Sequence, residues 1–226
     1  MSSLAEKMDL TRRRISELAA AHDPERIAVA WTGGKDSTLV LWIWREYLRG
    51  SGARQDTPLR ALNLDTGLKF PEVLRFRDSL WQDWGVDLIV AKPDVDLVGY
   101  PVAEDPLTCC RDLKIQPLNE AVRRMDLQVL LTGVRRDEHP SRAERSWIEE
   151  KQSPDYLQAH PILHWTEMDV WSMYMAEDLP YCSLYEQGYR SLGCRPCTQP
   201  ATGGERSGRE SRKEDVLETL RSLGYF

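Results

Sequence analysis

The chain has 226 residues, 41% of them hydrophobic and 29% charged, with a formal net charge of −6. Such a balance belongs to a folded chain with its own core, and the acidic excess argues against a nucleic-acid partner, whose phosphates draw clustered Lys and Arg; tRNA alone is kept open. No apolar run approaches the roughly 20 residues needed to cross a bilayer, and the charged start MSSLAEKMDLTRRRISEL lacks the apolar core of a signal peptide, so a cytoplasmic protein with no membrane partner is expected.

In chain order, residues 1–25 read as an N-terminal helical segment. RIAVAW (26–31) is a short apolar run with buried-strand character, as are LRALNL (59–64), VDLIVA (86–91) and QVLLT (128–132). Between them, residues 37–49, 71–84 and 114–124 place apolar side chains on one stripe, the mark of amphipathic helices. Strands alternating with helices predict a parallel sheet with crossover helices, an α/β fold. Thr166 and Asp169 have capping-box spacing and predict a helix start. Residues 198–211, rich in Gly, Ser and Thr, predict a mobile linker or lid, and an amphipathic helix is expected over 212–223. The organisation expected is a helical segment (1–25), an α/β domain (26–200), and a linker with a C-terminal helix (201–226).

The turn after the first strand, TGGKDS, is unusual chemistry for a connection. Gly33 and Gly34 let the backbone approach a ligand, and the freed N–H groups of a helix start point at anionic oxygens. Lys35 adds a full charge, Asp36 and Ser37 cap the helix, and Thr32 completes a phosphate cradle that does not fit the Walker A pattern. The chain has five cysteines, four of them in two tight pairs, Cys109 with Cys110 and Cys194 with Cys197. In a reducing compartment such pairs point to metal or redox chemistry before disulfides.

TGGKDS after a first strand resembles the pyrophosphate loop of the N-type ATP pyrophosphatases, which split ATP between its α and β phosphates. LNLDTGLKFPEVLRFRD (62–78), TGVRRDEHPSR (132–142) and HPILHWTEMDVW (160–171) are similar to stretches of the ATP sulfurylase small subunit and of the phosphoadenosine phosphosulfate reductase family. The resemblance implies an adenine nucleotide α-hydrolase-like (Rossmann-like) sheet flanked by helices. CCRDLKIQPL (109–118) and LPYCSLYEQGYRSLGCRPCTQP (179–200) are similar to the iron-sulfur adenylylsulfate reductases. That likeness implies that Cys109, Cys110, Cys194 and Cys197 bind one [4Fe–4S] cluster; four thiolates would also suit zinc, and simple buried thiols are the plain alternative. Lys114, four residues past the first pair, would lie between the cluster and a bound sulfate or phosphate, the alternative being a solvated helix lysine.

On this reading Arg135, Arg136, Arg142 and Arg145 follow a strand where loops meet the ligand and would clamp its oxygens, with a surface salt-bridge cluster as the alternative. Gly133 belongs to the same turn. Asp65 would recognise a ribose or adenine edge or help hold Mg2+, or else cap a helix. His139, His160 and His164 have no ligand spacing and are assigned no chemistry. One departure stands out: reductases of this family carry a nucleophilic cysteine in a C-terminal E-C-G-x-H segment, whereas this sequence has none after Cys197. Cys182 is expected to be a packed thiol. The intact loop and the GYF ending look like the sulfurylase small subunit. The leading expectation is therefore cleavage of ATP with Mg2+ at the α phosphorus beside a [4Fe–4S] cluster. The alternatives are reduction of adenylylsulfate or its 3′-phosphorylated form with an external thiol or electron donor, a sulfurtransferase, and a non-catalytic cluster-binding partner subunit.

Overall fold

The computed structural model describes residues 2–50 and 57–225, so Phe226 of the GYF ending lies outside them. Helix α1 (Leu4–Ala21) opens on a capping box of Ser3 with Glu6 and buries Met8, Ile15 and Leu18. The strands are β1 (Ile27–Ala30), β2 (Arg60–Leu64), β3 (Asp87–Ala91), β4 (Val129–Leu131), β5 (Ile148–Lys151) and β6 (Tyr156–Ala159). They form one six-stranded sheet in the order β3-β2-β1-β4-β6-β5. Every neighbouring pair is parallel except β5 with β6. Central β1 and β4 are buried on both faces, which is why they read as continuous apolar runs. The edge strand β5, IEEK, was not expected from the sequence; its charges lack the apolar signal of a strand and suit an edge that must not pair further.

Helix α2 (Lys35–Gly50) carries the chain from β1 to β2 on one side, whereas β4 flanks β1 on the other. The order of strands reverses here, so the loops leaving the carboxyl ends of β1 and β4 diverge and open a crevice. Gly133, in the loop after β4, holds the crevice floor: a Cβ there would lie 2.6 Å from Asp36 C and Ser37 N. Only a residue without one lets the two loops touch.

Helix α3 (Pro71–Trp84) matches its expected span and ends at Gly85 with φ 64°. The helix expected over 114–124 begins earlier, as α4 (Pro106–Cys110), a π-helical turn (Arg111–Ile115) and α5 (Gln116–Arg124) in one run. Pro117 has no N–H to give the Leu113 carbonyl, and beside it the ladder widens, with Gln116 N donating to Arg111 O. The turn carries Lys114 inward. Helix α6 (Glu167–Ala176) starts on the expected Thr166 and Asp169 capping box. In place of one C-terminal helix there are two short ones, α7 (Ser211–Asp215) and α8 (Leu217–Ser222), broken at Val216. Among the described residues no helix is long and apolar enough to cross a membrane.

Candidate active site

The loop after β1 is held by its own hydroxyls and one aromatic ring. Thr32 N donates to Ser37 Oγ at 3.2 Å, Gly34 N to Thr32 Oγ1 at 3.3 Å, and Ser37 Oγ to Gly34 O at 3.0 Å. Gly33 takes φ +84°, and a Cβ there would meet Val73 at 2.9 Å. Ser37 and Asp36, expected as caps, lie inside the first turn of α2. The Lys35 amide donates to the Tyr185 hydroxyl at 2.8 Å, so a side chain from the 3₁₀ turn Ser183–Gln187 occupies one of the loop's anion-facing donors.

Lys35 does not project into open solvent: the residue is 1% exposed. Its ammonium donates to Asp36 at 3.2 Å, Arg190 O at 2.9 Å and Glu205 at 2.5 Å. Arg135, fully buried, donates to Asp36 at 2.6 Å and to both Glu205 oxygens at 2.6 Å. Burial alone would strip the charge from Lys35, but Asp36, Tyr185 and Glu205 outweigh it and hold its pKa well above the ordinary value. For Arg135, Asp36 and Glu205 outweigh burial in the same way. Glu205 belongs to the segment expected as a linker or lid. It is 9% exposed and closes the cage from above.

A second group of cations lines the crevice. Arg142 and Arg206 both pair with Glu138, Arg206 at 2.7 Å, and Arg206 also grips Glu214 through two 2.7 Å bonds. The crevice is bounded by Gly34, Ser37, Gly133, Arg142, Arg206 and Arg209. Arg136 is not among its walls: exposed, it turns outward and donates to Arg145 O at 2.8 Å. Arg145 is committed to Glu149 by two 2.8 Å bonds. The expected arginine clamp is thus reduced to Arg142, joined by Arg206 and Arg209 from the other end of the chain.

Asp65 closes a turn by accepting from Gly67 N at 3.1 Å and pairs with Arg77 at 3.3 Å. It caps no helix, since Phe70 is the residue before α3. Lys69, four residues on, donates to Thr32 O and Asn63 and faces a smaller hollow shared with Thr66, Lys114, Cys194 and Arg209. Burial brings its pKa down to about 8.

That hollow leads to the cysteines. All five are free thiols, and four of them, all but Cys197, are buried. Cys109 lies within the electrostatic reach of Cys110 and Cys194, and Cys197 within that of Cys194 and Cys110. Among the described residues no three His, Cys, Asp or Glu side chains close on a point that a single ion would fill; a four-iron cubane spreads its thiolates more widely. Burial opposes ionisation of Cys194, but Lys114 and Lys213 bring its thiol down to about 7. Lys114, 9% exposed, is not the solvated helix lysine, and Lys213 is 1% exposed. Both ammonium groups sit over the Tyr225 ring, at 5.5 and 5.0 Å. Among the described residues neither lysine has a carboxylate ion pair; Lys213 donates to the Tyr225 hydroxyl at 3.2 Å, and Cys194 and Tyr225 lie within electrostatic reach of Lys114. The Arg209 guanidinium donates to Ser191 at 3.3 Å and leaves its Nε unpartnered. Cys182, 1% exposed, packs with Phe70, Val73 and Leu184, and burial raises its thiol.

His160 illustrates a histidine whose role is packing. It is fully buried, bonded through Nδ1 to Thr132 at 2.6 Å, and burial lowers its pKa from 6.5 to about 4. Above pH 6.5 neither folded nor unfolded chain protonates it. As pH falls from 6.5 to about 4 only the unfolded chain takes up the proton, so about 3 kcal/mol of stability is lost across that window. Denaturant melts at pH 7.5 and 4.5 should show the loss, and His160→Gln should flatten it.

Sequence reasoning missed Glu205, Arg206, Arg209, Lys213 and Tyr185, all from the last quarter of the chain. The one signal was the alternation of opposite charges in GGERSGRESRKED, dense for a plain linker.

The geometry can be set beside known proteins. Residues 26–200 match the family model of the phosphoadenosine phosphosulfate reductase domain. An adenosine 5′-phosphosulfate reductase of Neisseria meningitidis is 31% identical over 222 residues, 92% of this chain and 85% of that protein. Adenosine 5′-phosphosulfate reductase 1 of Bacillus subtilis is 36% identical over 156 residues, 65% of this chain and 66% of its own length. Among solved structures, FMN adenylyltransferase of Candida glabrata with FAD and pyrophosphate superimposes with a TM-score of 0.74 at 19% identity, over 88% of this chain and 66% of that one. The phosphoadenylyl-sulfate reductase of Candida auris gives a TM-score of 0.64 at 17% identity, over 88% and 99%. These two likenesses speak to the fold. With the family model covering the loop after β1, the loop after β4 and both cysteine pairs, this chain belongs to the phosphoadenosine phosphosulfate reductase domain family.

Proposed function

We propose that the chain is a sulfate-assimilation enzyme of reductase type that takes an adenylylated sulfate, adenylylsulfate or its 3′-phosphorylated form, into the crevice and yields sulfite and the nucleotide. The observation that carries the reading is the hollow beside Cys194, where Lys69, Lys114 and the half-buried Arg209 gather, with the buried Lys213 next to Lys114. Cations gathered in one hollow repel one another. Their arrangement therefore calls for an anion, and a sulfate group presented next to Cys194 supplies one. Arg142 and Arg206 would meet the phosphate, and Lys69 and Lys114 the sulfate.

Cys109, Cys110, Cys194 and Cys197 would hold a [4Fe–4S] cluster, whose place beside the crevice would supply a fixed, redox-active charge. The donor set and the surrounding cations suit such a group. Cys182 is packed away, and the reacting thiol comes from an external donor. Its thiolate attacks sulfur, the S–O bond to the nucleotide breaks with the electron pair leaving on the nucleotide, and a second donor thiol then releases sulfite as the donor becomes a disulfide. Arg142 and Arg206 favour departure by balancing charge on the leaving phosphate.

Cleavage of ATP with Mg2+ is the second reading, favoured by the TGGKDS loop itself. The two separate in one pair of anaerobic reactions. With adenylylsulfate and a dithiol donor, sulfite and AMP are expected; with ATP and Mg2+ across candidate acceptors, no pyrophosphate. Pyrophosphate without sulfite would reverse the order.

A further inference from the structure

Glu205 sits where a bound oxyanion would be expected. The two strongest donors around it, the Lys35 ammonium and the Arg135 guanidinium, are 1% and 0% exposed, and they lie at the amino end of α2, whose dipole also favours negative charge. Both carboxylate oxygens accept from Arg135, and one also accepts from Lys35. Such a pair at a helix start is an oxyanion seat, and here the chain fills it from within.

The segment that delivers Glu205 is built to hold it there. Thr198 and Arg209 pair across its base, and Gln199 N donates to Gly208 O at 2.8 Å. A Cβ at Gly208 would lie 2.1 Å from Gln199 O, so this closure requires glycine. Ser207 Oγ accepts from Thr202 N and Gly203 N at 3.1 and 3.0 Å, and Arg190 donates to Gly203 O at 2.6 Å. Beside Glu205, Arg206 is fastened to Glu138 and Glu214. The carboxylate is thereby fixed in place before any ligand arrives.

We propose that Glu205 is a specificity-determining residue: its carboxylate fills the seat of Lys35 and Arg135, and by occupancy and like charge it excludes nucleotides that carry a polyphosphate chain. A ligand with one phosphate and one sulfate uses the separate cations, Arg142, Arg206, Lys69 and Lys114, and leaves the seat alone. This rests on the reductase reading but is tested apart from it, because the probe is inorganic pyrophosphate and the readout is binding.

Calorimetry should find pyrophosphate binding weak in the unaltered chain and tightened about ten-fold or more in Glu205→Gln, which keeps the shape and removes the charge. AMP binding should stay within about two-fold. Glu205→Ala should melt at a lower temperature than the unaltered chain, and pyrophosphate should restore the loss by filling the vacated seat. Equal pyrophosphate affinity in the unaltered chain and Glu205→Gln would overturn the proposal, as would an equal gain for AMP. Sulfite release by the unaltered chain reports separately: its absence sinks the reductase reading and leaves the pyrophosphate comparison to decide on Glu205.

Discussion

Cys194→Ser is expected to give a colourless protein that has lost its iron and its sulfite-forming activity. Purified without oxygen, the unaltered chain should be brown, absorb broadly near about 400 nm and carry about four irons per chain. The expectation follows from the setting of the thiol, which Lys114 and Lys213 bring down to about 7 against the opposing effect of burial. A thiol so poised is a ready ligand. Serine supplies no thiolate, and the same loss is expected for Cys109→Ser, Cys110→Ser and Cys197→Ser. Cys182→Ser is the control: its thiol is 1% exposed among Phe70, Val73 and Leu184, away from the other four, and colour and iron should survive. A colourless unaltered protein with one firmly held zinc would end the cluster assignment.

Arg135→Ala should cost about 3–5 kcal/mol of stability, the penalty for removing one partner from a buried ion group. The guanidinium is fully buried and holds Asp36 and both oxygens of Glu205 at 2.6 Å. Without it the carboxylates of Asp36 and Glu205 share one ammonium, that of Lys35. For a domain of this size the loss corresponds to a melting temperature lower by about 6–20 °C. Arg136→Ala, one residue on, removes an exposed side chain bonded to a single carbonyl and should shift the midpoint by about 2 °C at most. Thermal melts of the two variants side by side measure the contrast. Equal shifts would mean that the buried cage contributes nothing beyond a surface hydrogen bond.

The contrast between these neighbouring arginines marks the boundary of what the sequence conveys. RR at 135–136 reads as a pair of equivalent clamps, yet the chain leaving β4 turns one inward to Asp36 and Glu205 and the other outward to Arg145 O. No pattern along the chain distinguishes them, because the difference lies in which loop faces each side chain. The TGGKDS turn was legible for the opposite reason. Its glycines, its place between a buried strand and an amphipathic helix, and its lysine are all local, and local geometry follows local sequence.

Apolar periodicity likewise determined β1 to β4, α2 and α3 within a residue or two, because burial on a sheet or a helix stripe repeats at short range. The charged edge strand β5 carried no such signal. The sequence by itself determined the α/β class, the loop, the cysteine pairs and the family. Tertiary structure alone decided that Glu205, 170 residues away, closes over Lys35, and that Lys213 joins Lys114 beside Cys194. Electrostatic partners so far apart leave no periodicity in the chain: a carboxylate in a Gly-rich stretch has the composition of a linker until folding sets it against two buried cations.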